Sequence, residues 1–400
     1  MRALASHTLF SNDDFDGNFD RTLYGAYYGT ADLGEAFATG RAIGKPTAGS
    51  WHQHWRERAD QVRADAEASR AAGHRISARD AYLRASEYYR QSYFFLRHDI
   101  TDTRLLAAFE AHRETFASFA ELTDVHAQKV AIPYRHDLGE TSIHGWLFAA
   151  DDSQTPRPTL ISPCGYDSTA ESGWFTVVGA LERGYNVLSV EGPGQGASLY
   201  YDKIPFRPDA EVPYGQIMDW VSAHDLVDPT RIAMMGRSFA GYLGPRAVAA
   251  DNRYAALVCD PAQPDMGTKI PGGIAGKIAA PAMTAATHLS ADKAEFFGAR
   301  MAAHHCSTIA EYFDELKTYT MLGIASQITC PTLLVESEGD PVGGGGATLI
   351  GAISSTTKEL VNPPASSGLS GHCGGLGQKV WERIVFDWLD TVLTPAATPH

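Results

Sequence analysis

The segment Arg231-Ile232-Ala233-Met234-Met235-Gly236-Arg237-Ser238-Phe239-Ala240-Gly241 constrains the fold more than any other stretch. An apolar run of strand length delivers a serine between small residues, and a helix-compatible stretch follows. A strand that passes directly into a helix belongs to a crossover unit, which builds parallel sheets covered by helices. The bend carries a second consequence. A serine on a sharp strand-to-helix turn has its hydroxyl exposed, and its neighbours must be small because bulky ones would collide. Gly236 and Ala240 meet that need, with alanine standing in the last place of the usual G-x-S-x-G pattern.

The hydrophobic period supports the same architecture from Gln128 onward. Val130 to Tyr134, Ile143 to Ala149 and Thr159 to Pro163 read as strands. Alternation follows, with a helix over Ala170 to Glu182, a strand over Asn186 to Glu191 and a helix over Gln216 to Ala223. Strands over Arg231 to Met235 and Ala255 to Asp260 continue it. Between Pro261 and Ile328 no clear strand is found, only helical patterns near Ala291 to Met301 and Thr308 to Leu322. The sheet resumes at Pro331 to Val335, and a helix closes the chain over Val380 to Leu393. These signals predict an α/β fold with a doubly wound, mostly parallel sheet over 126–400, interrupted by a helical insertion at 261–328 placed to act as a lid.

Residues 1–125 show few strand signals and read as a helical N-terminal domain. Within it, Ala78 to Arg97 sets Tyr82, Leu83, Tyr89, Tyr93 and Phe94 on one helix face, an aromatic stripe suited to core packing. No internal repeat is visible, and the Pro/Ala-rich tail Thr394 to His400 is expected to fray.

Three chemical groups follow one another in a telling order. Ser238 is the candidate nucleophile; a serine hydroxyl is weak at neutral pH and needs a base to take its proton. His372 is the candidate base, in the glycine-flanked loop Ser370-Gly371-His372-Cys373-Gly374 before the final helix. The acid that orients it is Asp340, in the strand-end turn Gly339-Asp340-Pro341, with Asp260 before Pro261 as an alternative and Glu336 and Glu338 as weaker ones. The order Ser, Asp, His is that of an α/β-hydrolase. Thr159 to Tyr166 is a strand ending in a small-residue turn, placed where an oxyanion hole is built, so the backbone N–H groups of Tyr166 and Phe239 are its expected donors.

Composition narrows the partners. At 400 residues the chain is long for one domain, and a core of about 250 residues with an added module is the natural division. A net charge of −14 and no basic stripe argue against nucleic acid, which demands a basic face. The start carries Asp13, Asp14, Asp16 and Asp20 with no apolar leader core, and no apolar run is long enough to span a bilayer, so no membrane association and a cytoplasmic location are expected. Cys164, Cys259, Cys306, Cys330 and Cys373 are odd in number and widely spaced, which fits reduced thiols; Cys164 and Cys373 adjoin the expected oxyanion turn and base. The glycine-rich runs Gly192 to Gly196 and Gly343 to Gly346 match no phosphate-binding spacing and read as flexible loops. His52/His54 and His304/His305 lack partners at metal spacing, so no metal is expected.

Taken together, Ala81-Tyr82-Leu83-Arg84-Ala85-Ser86-Glu87-Tyr88-Tyr89-Arg90, Cys164-Gly165-Tyr166-Asp167-Ser168-Thr169, Glu191-Gly192-Pro193-Gly194-Gln195-Gly196 and Gly236-Arg237-Ser238-Phe239-Ala240-Gly241-Tyr242-Leu243 carry a resemblance. The chain resembles the 2,6-dihydropseudooxynicotine hydrolase group of α/β-hydrolases, itself similar to fungal pigment-pathway polyketide-shortening hydrolases and to fermentation-respiration-switch esterase-like proteins. The resemblance covers most of the chain. It implies an N-terminal helical domain joining the lid over the pocket, a homodimer, no cofactor, and Ser238, Asp340 and His372 as nucleophile, acid and base. Two departures stand out: Cys164 where a glycine is common, and Ala240 in place of the second elbow glycine.

The expected activity is serine hydrolysis of a C–C bond in a β-diketone-like or acyl-aromatic small molecule, bulky and ring-bearing, through an acyl-enzyme. A carboxylesterase or lactone hydrolase is the alternative. A biosynthetic cyclase, lyase or acyltransferase, or a ligand-binding protein without catalysis, would use the same pocket differently.

Overall fold

The structure, a computed structural model, describes residues 7–137, 139–271, 273–289 and 291–393. The tail at 394–400 lies outside the described residues. The chain divides into two compact units, one of residues up to Ala127 together with Pro281–Ile309, the other of Gln128–Ala280 and Ala310 onward.

The first unit is helical because its sequence supplies both start signals and an aromatic core. Helices run over Asp13–Gly25, Leu33–Ile43, Ala48–Ala71, Arg75–Tyr93 and Thr103–Leu122. Asn12, Asp32, Thr47 and Asp102 each accept a backbone N–H of the first turn, and Thr47 and Ser50 cap each other reciprocally. Trp51, Trp55 and Tyr88 are wholly buried, and Tyr82, Leu83, Tyr89, Tyr93 and Phe94 of the aromatic stripe are buried as well. The Trp51 indole donates to the carbonyl of Gln91 at 2.8 Å, so the large ring enters the core without stranding its N–H. Arg90 and Glu87 are buried as an ion pair at 2.7 Å, and the Gln91 amide adds a donor to the same carboxylate at 3.0 Å. From the Pro281–Ile309 part, Glu295 pairs with His98.

The second unit is built on one eight-stranded sheet: β1 His126–His136, β2 Gly139–Ala149, β3 Arg157–Pro163, β4 Asn186–Val190, β5 Val227–Arg237, β6 Tyr254–Asp260, β7 Thr332–Val335 and β8 Lys358–Val361. The order is β1-β2-β4-β3-β5-β6-β7-β8. β2 pairs antiparallel with β4, and every pairing from β4 through β8 is parallel. Central strands are buried on both faces, which explains their unbroken apolar runs: Ile232 through Met235 are at most 1% exposed, and all of β4 is buried. Burying each such large side chain stabilises the fold by roughly 1.5–3 kcal/mol.

Parallel pairing brings the carboxyl ends of β3, β5, β6 and β7 to one edge. The chain leaves β3 toward β4 on one side, while β5 to β8 add on the other, so the winding reverses between β3 and β5. A crevice opens outside the strand ends at such a reversal. Ser238 follows β5 and Gly165 follows β3, so both sit at this reversal.

Some elements differ from the sequence reading. β8, with the sequence KELV, and the helix Gly346–Ala352 carry too little apolar pattern to be seen in advance. The expected helix from Ala170 splits into a tight turn at Glu171–Gly173 and a helix at Trp174–Leu181; the next begins at Glu211, with Pro213 in its first turn, where no N–H bond is lost. The glycine runs, expected as flexible loops, both carry hydrogen bonds. Gly192 to Gly196 is buried and hydrogen-bonded, and the Glu336 carboxylate accepts the N–H groups of Gly344 and Gly346 at 3.1 and 2.6 Å.

The helix Ala240–Ala250 leaves the β5 turn in close contact with the backbone after β6. A Cβ on Gly241 would overlap the carbonyl oxygen of Pro261, and one on Gly236 would overlap that of Ala240. The crowding that a second elbow glycine relieves therefore falls on Gly241, which leaves position 240 free to be alanine. Gly241→Ala should gain about 1 kcal/mol from helix propensity and lose roughly 1–3 kcal/mol to overpacking. A net fall in the denaturant midpoint is expected, with no rise in stability from Ala240→Gly; an increased midpoint for Gly241→Ala would remove the steric account.

Candidate active site

Ser238 adopts φ 57°, a left-handed backbone that a side-chain-bearing residue enters only when its surroundings enforce it. The enforcement is visible. The Ser238 N–H donates to the Asp260 carbonyl at 2.8 Å, the Gln263 amide donates to the Ser238 carbonyl at 2.6 Å, and the Gly241 N–H donates to that same carbonyl at 2.9 Å. The serine hydroxyl is thereby presented at the strand edge.

His372 comes from a loop with left-handed backbone at Gly371, Cys373, Gly374 and Gly375, tied to the β7 side by the Gly371 N–H donating to the Glu338 carbonyl at 2.9 Å. Its Nε2 lies 2.8 Å from Ser238 Oγ, and its Nδ1 lies 3.0 and 3.2 Å from the two carboxylate oxygens of Asp340. An ionised carboxylate can only accept, so the Nδ1–H faces Asp340 and Nε2 is left to accept the serine proton. The Asp340 side chain is fully buried. Burial alone would raise its pKa, but His372 and the N–H groups of Val342 and Cys373, at 2.9 and 3.0 Å, hold it below the ordinary carboxylate value. Burial pulls His372 down, while Cys373 and Asp340 beside it push it further up, to about 10.

The other acids weighed against Asp340 are engaged elsewhere. Glu336 caps the helix at Gly346, and Glu338 accepts the Ala365 N–H at 2.8 Å. Asp260 is wholly buried at the end of β6, where its backbone carbonyl serves Ser238; its carboxylate has Arg237 Nε at 3.9 Å and makes no hydrogen bond to His372. Cys164 is buried, and its thiol is pushed well up by that burial and by Glu191 and Glu171, so it stays protonated.

Tyr166 and Phe239 flank the serine, with ring centroids 4.1 Å apart, and Phe206 packs against both at 5.0 and 4.9 Å. Tyr242 and Tyr319 extend this aromatic cluster into the buried interior. A Cβ on Gly165 would come within 3.0 Å of Ser238 Cβ, a tighter contact than side chains usually make, so glycine lets the turn after β3 approach closely without strain.

Two contributors escaped the sequence reading. Arg237 is held between the rings of Phe175 and Trp381, at 4.9 and 4.1 Å, and donates to the Cys373 carbonyl at 2.7 Å and to Gln378 Oε1 at 3.0 Å, tying β5 to the histidine loop. Its signal was a cation at the end of an apolar strand. Gln195 is the other; a glutamine in a glycine turn carries no signal until the loops meet. Among the described residues, one set of His, Cys and carboxylate groups lies close enough to share a cation: Asp340, His372 and Cys373, within 4.8 Å. Asp340 and His372 already hold a proton between them. The pairs His52/His54 and His304/His305 enter no such set among the described residues.

The carboxyl of Asp260 is pushed up to about 6, chiefly by burial, with Arg237 opposing and Asp340 adding. The folded chain thus binds this proton more tightly than the unfolded one, whose carboxyl titrates near 3.8. Stability from this group is full below the unfolded value and is lost as pH rises through the folded one. Asp260→Asn, which has no such proton, should gain on the wild type by on the order of 2 kcal/mol between about pH 4 and about pH 7. Melting temperatures of both proteins across that window would check this, and a difference independent of pH would contradict it.

No family model matches the chain. It is 35% identical over 263 residues to the 20-hydroxy-prefusarin hydrolase of Gibberella moniliformis, covering 64% of this chain and 62% of that one. It is 38% identical over 264 residues to the hydrolase LUC6 of a Fusarium species, with 64% and 62% covered. The matched region thus spans about 62% of the length of these curated relatives. The 2,6-dihydroxy-pseudo-oxynicotine hydrolase superposes with a TM-score of 0.75 over 94% of this chain and 96% of its own, at 18% identity. Among the described residues, no helix is long and apolar enough to cross a membrane. The chain has an α/β-hydrolase fold, which it shares with the 2,6-dihydroxy-pseudo-oxynicotine hydrolase, and over part of its length it is similar to these fungal hydrolases.

Proposed function

We propose that the protein is a serine hydrolase that cleaves a C–C bond in a β-diketone-like or acyl-aromatic small molecule through an acyl-enzyme. The observation that carries the reading is the hydrogen-bonded line Ser238 Oγ, His372 Nε2, His372 Nδ1, Asp340, set on a left-handed serine. Ser238 Oγ attacks the substrate carbonyl while His372 Nε2 takes its proton. The oxyanion forms against the backbone N–H groups of Tyr166 and Phe239. The C–C bond then breaks, its electron pair leaves on a delocalised carbon fragment, and His372 returns the proton to that fragment. Water, deprotonated by His372, attacks the acyl-enzyme, the bond to Ser238 Oγ breaks, His372 returns the proton to that oxygen, and a carboxylic acid is released.

The cluster of Tyr166, Phe206 and Phe239 beside Ser238 supports a ring-bearing substrate, since aromatic groups pack well on flat apolar ones. The names of the relatives point the same way: one is a hydrolase of 20-hydroxy-prefusarin, and a structural neighbour is a hydrolase of 2,6-dihydroxy-pseudo-oxynicotine. A ketone releases carbon only when the departing fragment is stabilised, so activated 1,3-diketones or phenolic acyl ketones should be cleaved and simple alkyl esters poorly turned over. In heavy-oxygen water the acid product should carry one label, and folded Ser238→Ala should retain less than about a hundredth of the rate. Efficient hydrolysis of plain esters with no action on activated ketones would make the protein a carboxylesterase. An unlabelled or transferred product would make it a cyclase, lyase or acyltransferase.

The base acts in its neutral form, and the neighbours of His372 favour the protonated form over the ordinary value of 6.5. Labelling of Ser238 by a fluorophosphonate should therefore quicken with rising pH, with a midpoint above 6.5. Cys373→Ser, which keeps the side chain's size and removes its acidity, should move that midpoint downward. A wild-type midpoint at or below 6.5 would refute this account of the base.

A further inference from the structure

The turn after β4, Gly192-Pro193-Gly194-Gln195-Gly196, is left without a task by the mechanism above. β3 and β4 are parallel neighbours, so their following turns emerge side by side at the same edge. Gln195 is 1% exposed and lies between those turns. Its Oε1 accepts the Gly192 N–H at 2.6 Å, which fixes the oxygen toward its own turn and aims the NH2 at the turn after β3. There Nε2 donates to the carbonyl of Cys164 at 2.5 Å and to that of Gly165 at 3.2 Å.

We infer that Gln195 is a positioning residue of the oxyanion site, holding the two peptide planes after β3 so that the Tyr166 N–H faces the reacting oxygen. The inference rests on the proposed role of Ser238. A trans peptide sets its C=O and N–H in opposite directions. The Gly165 carbonyl faces Gln195, and the Tyr166 N–H, which belongs to the same plane, therefore points away from Gln195. The preceding plane has the same arrangement: the Cys164 carbonyl faces Gln195 while the Gly165 N–H donates to Ser168 Oγ at 2.8 Å. Gly165 has no side chain with which to anchor the turn, and it lies against Ser238. Two carbonyl oxygens converging on one point repel each other unless a group with two N–H donors stands between them. Of the neutral side chains, only a carboxamide can supply both donors and also accept from Gly192.

Gln195→Glu keeps an acceptor for the Gly192 N–H and sets a carboxylate against the two carbonyls, and Gln195→Met removes donors and acceptor at similar length. Both variants, as the full chain, are treated with a fluorophosphonate and with phenylboronic acid, whose adduct on Ser238 is a tetrahedral anion. The expected result is labelling slower by roughly ten- to a hundredfold, boronate affinity lower by a similar factor and, for the uncharged Gln195→Met, an unmoved pH midpoint. A merely structural change around His372 would move the midpoint, and one confined to stability would alter the melting temperature without the boronate affinity. Ser168→Ala, which loosens the same turn from its other tether, carries the test if either variant does not fold, and should slow labelling in the same direction. Labelling and boronate affinity within twofold of wild type would overturn the inference. Absence of labelling at Ser238 in the wild type would instead overturn the proposed nucleophile.

Discussion

The parallel pairing of β5 with β6, carried through to Arg237 opposite Asp260, is the constraint on which the site depends. A left-handed serine costs on the order of 1–2 kcal/mol when unsupported. Here three hydrogen bonds surround it, and two of them come from the chain just after β6 or from the last residue of that strand. Shifting the register by one residue would remove the Asp260 carbonyl from the Ser238 N–H and push Gly241 off Pro261. The geometry of one hydroxyl is therefore specified by the apolar runs that set the register of the whole sheet.

That dependence explains what was legible in the sequence. The β5 run, its small-residue turn and the order of Ser238, Asp340 and His372 follow local rules, and local rules are written in consecutive residues. Asp340 was preferred over Asp260 on turn chemistry, and Asp340 is the carboxylate hydrogen-bonded to His372. By contrast, β8 and the helix at Gly346 are held by tertiary contacts and have weak patterns of their own. The turn at Gly192 to Gly196 read as flexible because glycine alone says nothing about what fills the space beside it. Here the space is filled by the Glu191 carboxylate and by Phe206, and a Cβ on Gly196 or Gly194 would overlap them.

Charge is buried at this edge with uneven compensation. Arg237 gains two aromatic faces and two hydrogen bonds through Nη2, yet its Nε and Nη1, like both carboxylate oxygens of Asp260, have no hydrogen-bond partner. An incompletely paired buried charge is costly in stability. What the chain gains is a tie between distant segments: the residue preceding Ser238 donates to the carbonyl of the residue following His372.

Strand length along the sheet is uneven, and this has a consequence for how the protein fails. Asp340 and His372 hang from the β7 side, where β7 and β8 are only four residues each and β8 is the outermost strand. Ser238 is rooted in the broad middle. Short outer strands open locally at lower free energy than central ones. On warming, the rim that holds the acid and the imidazole should detach while the middle of the sheet remains intact, leaving a folded protein with an exposed, inert hydroxyl. Thermal inactivation would then be a property of the sheet's border, and firming that border would prolong working life without touching the proposed reacting groups.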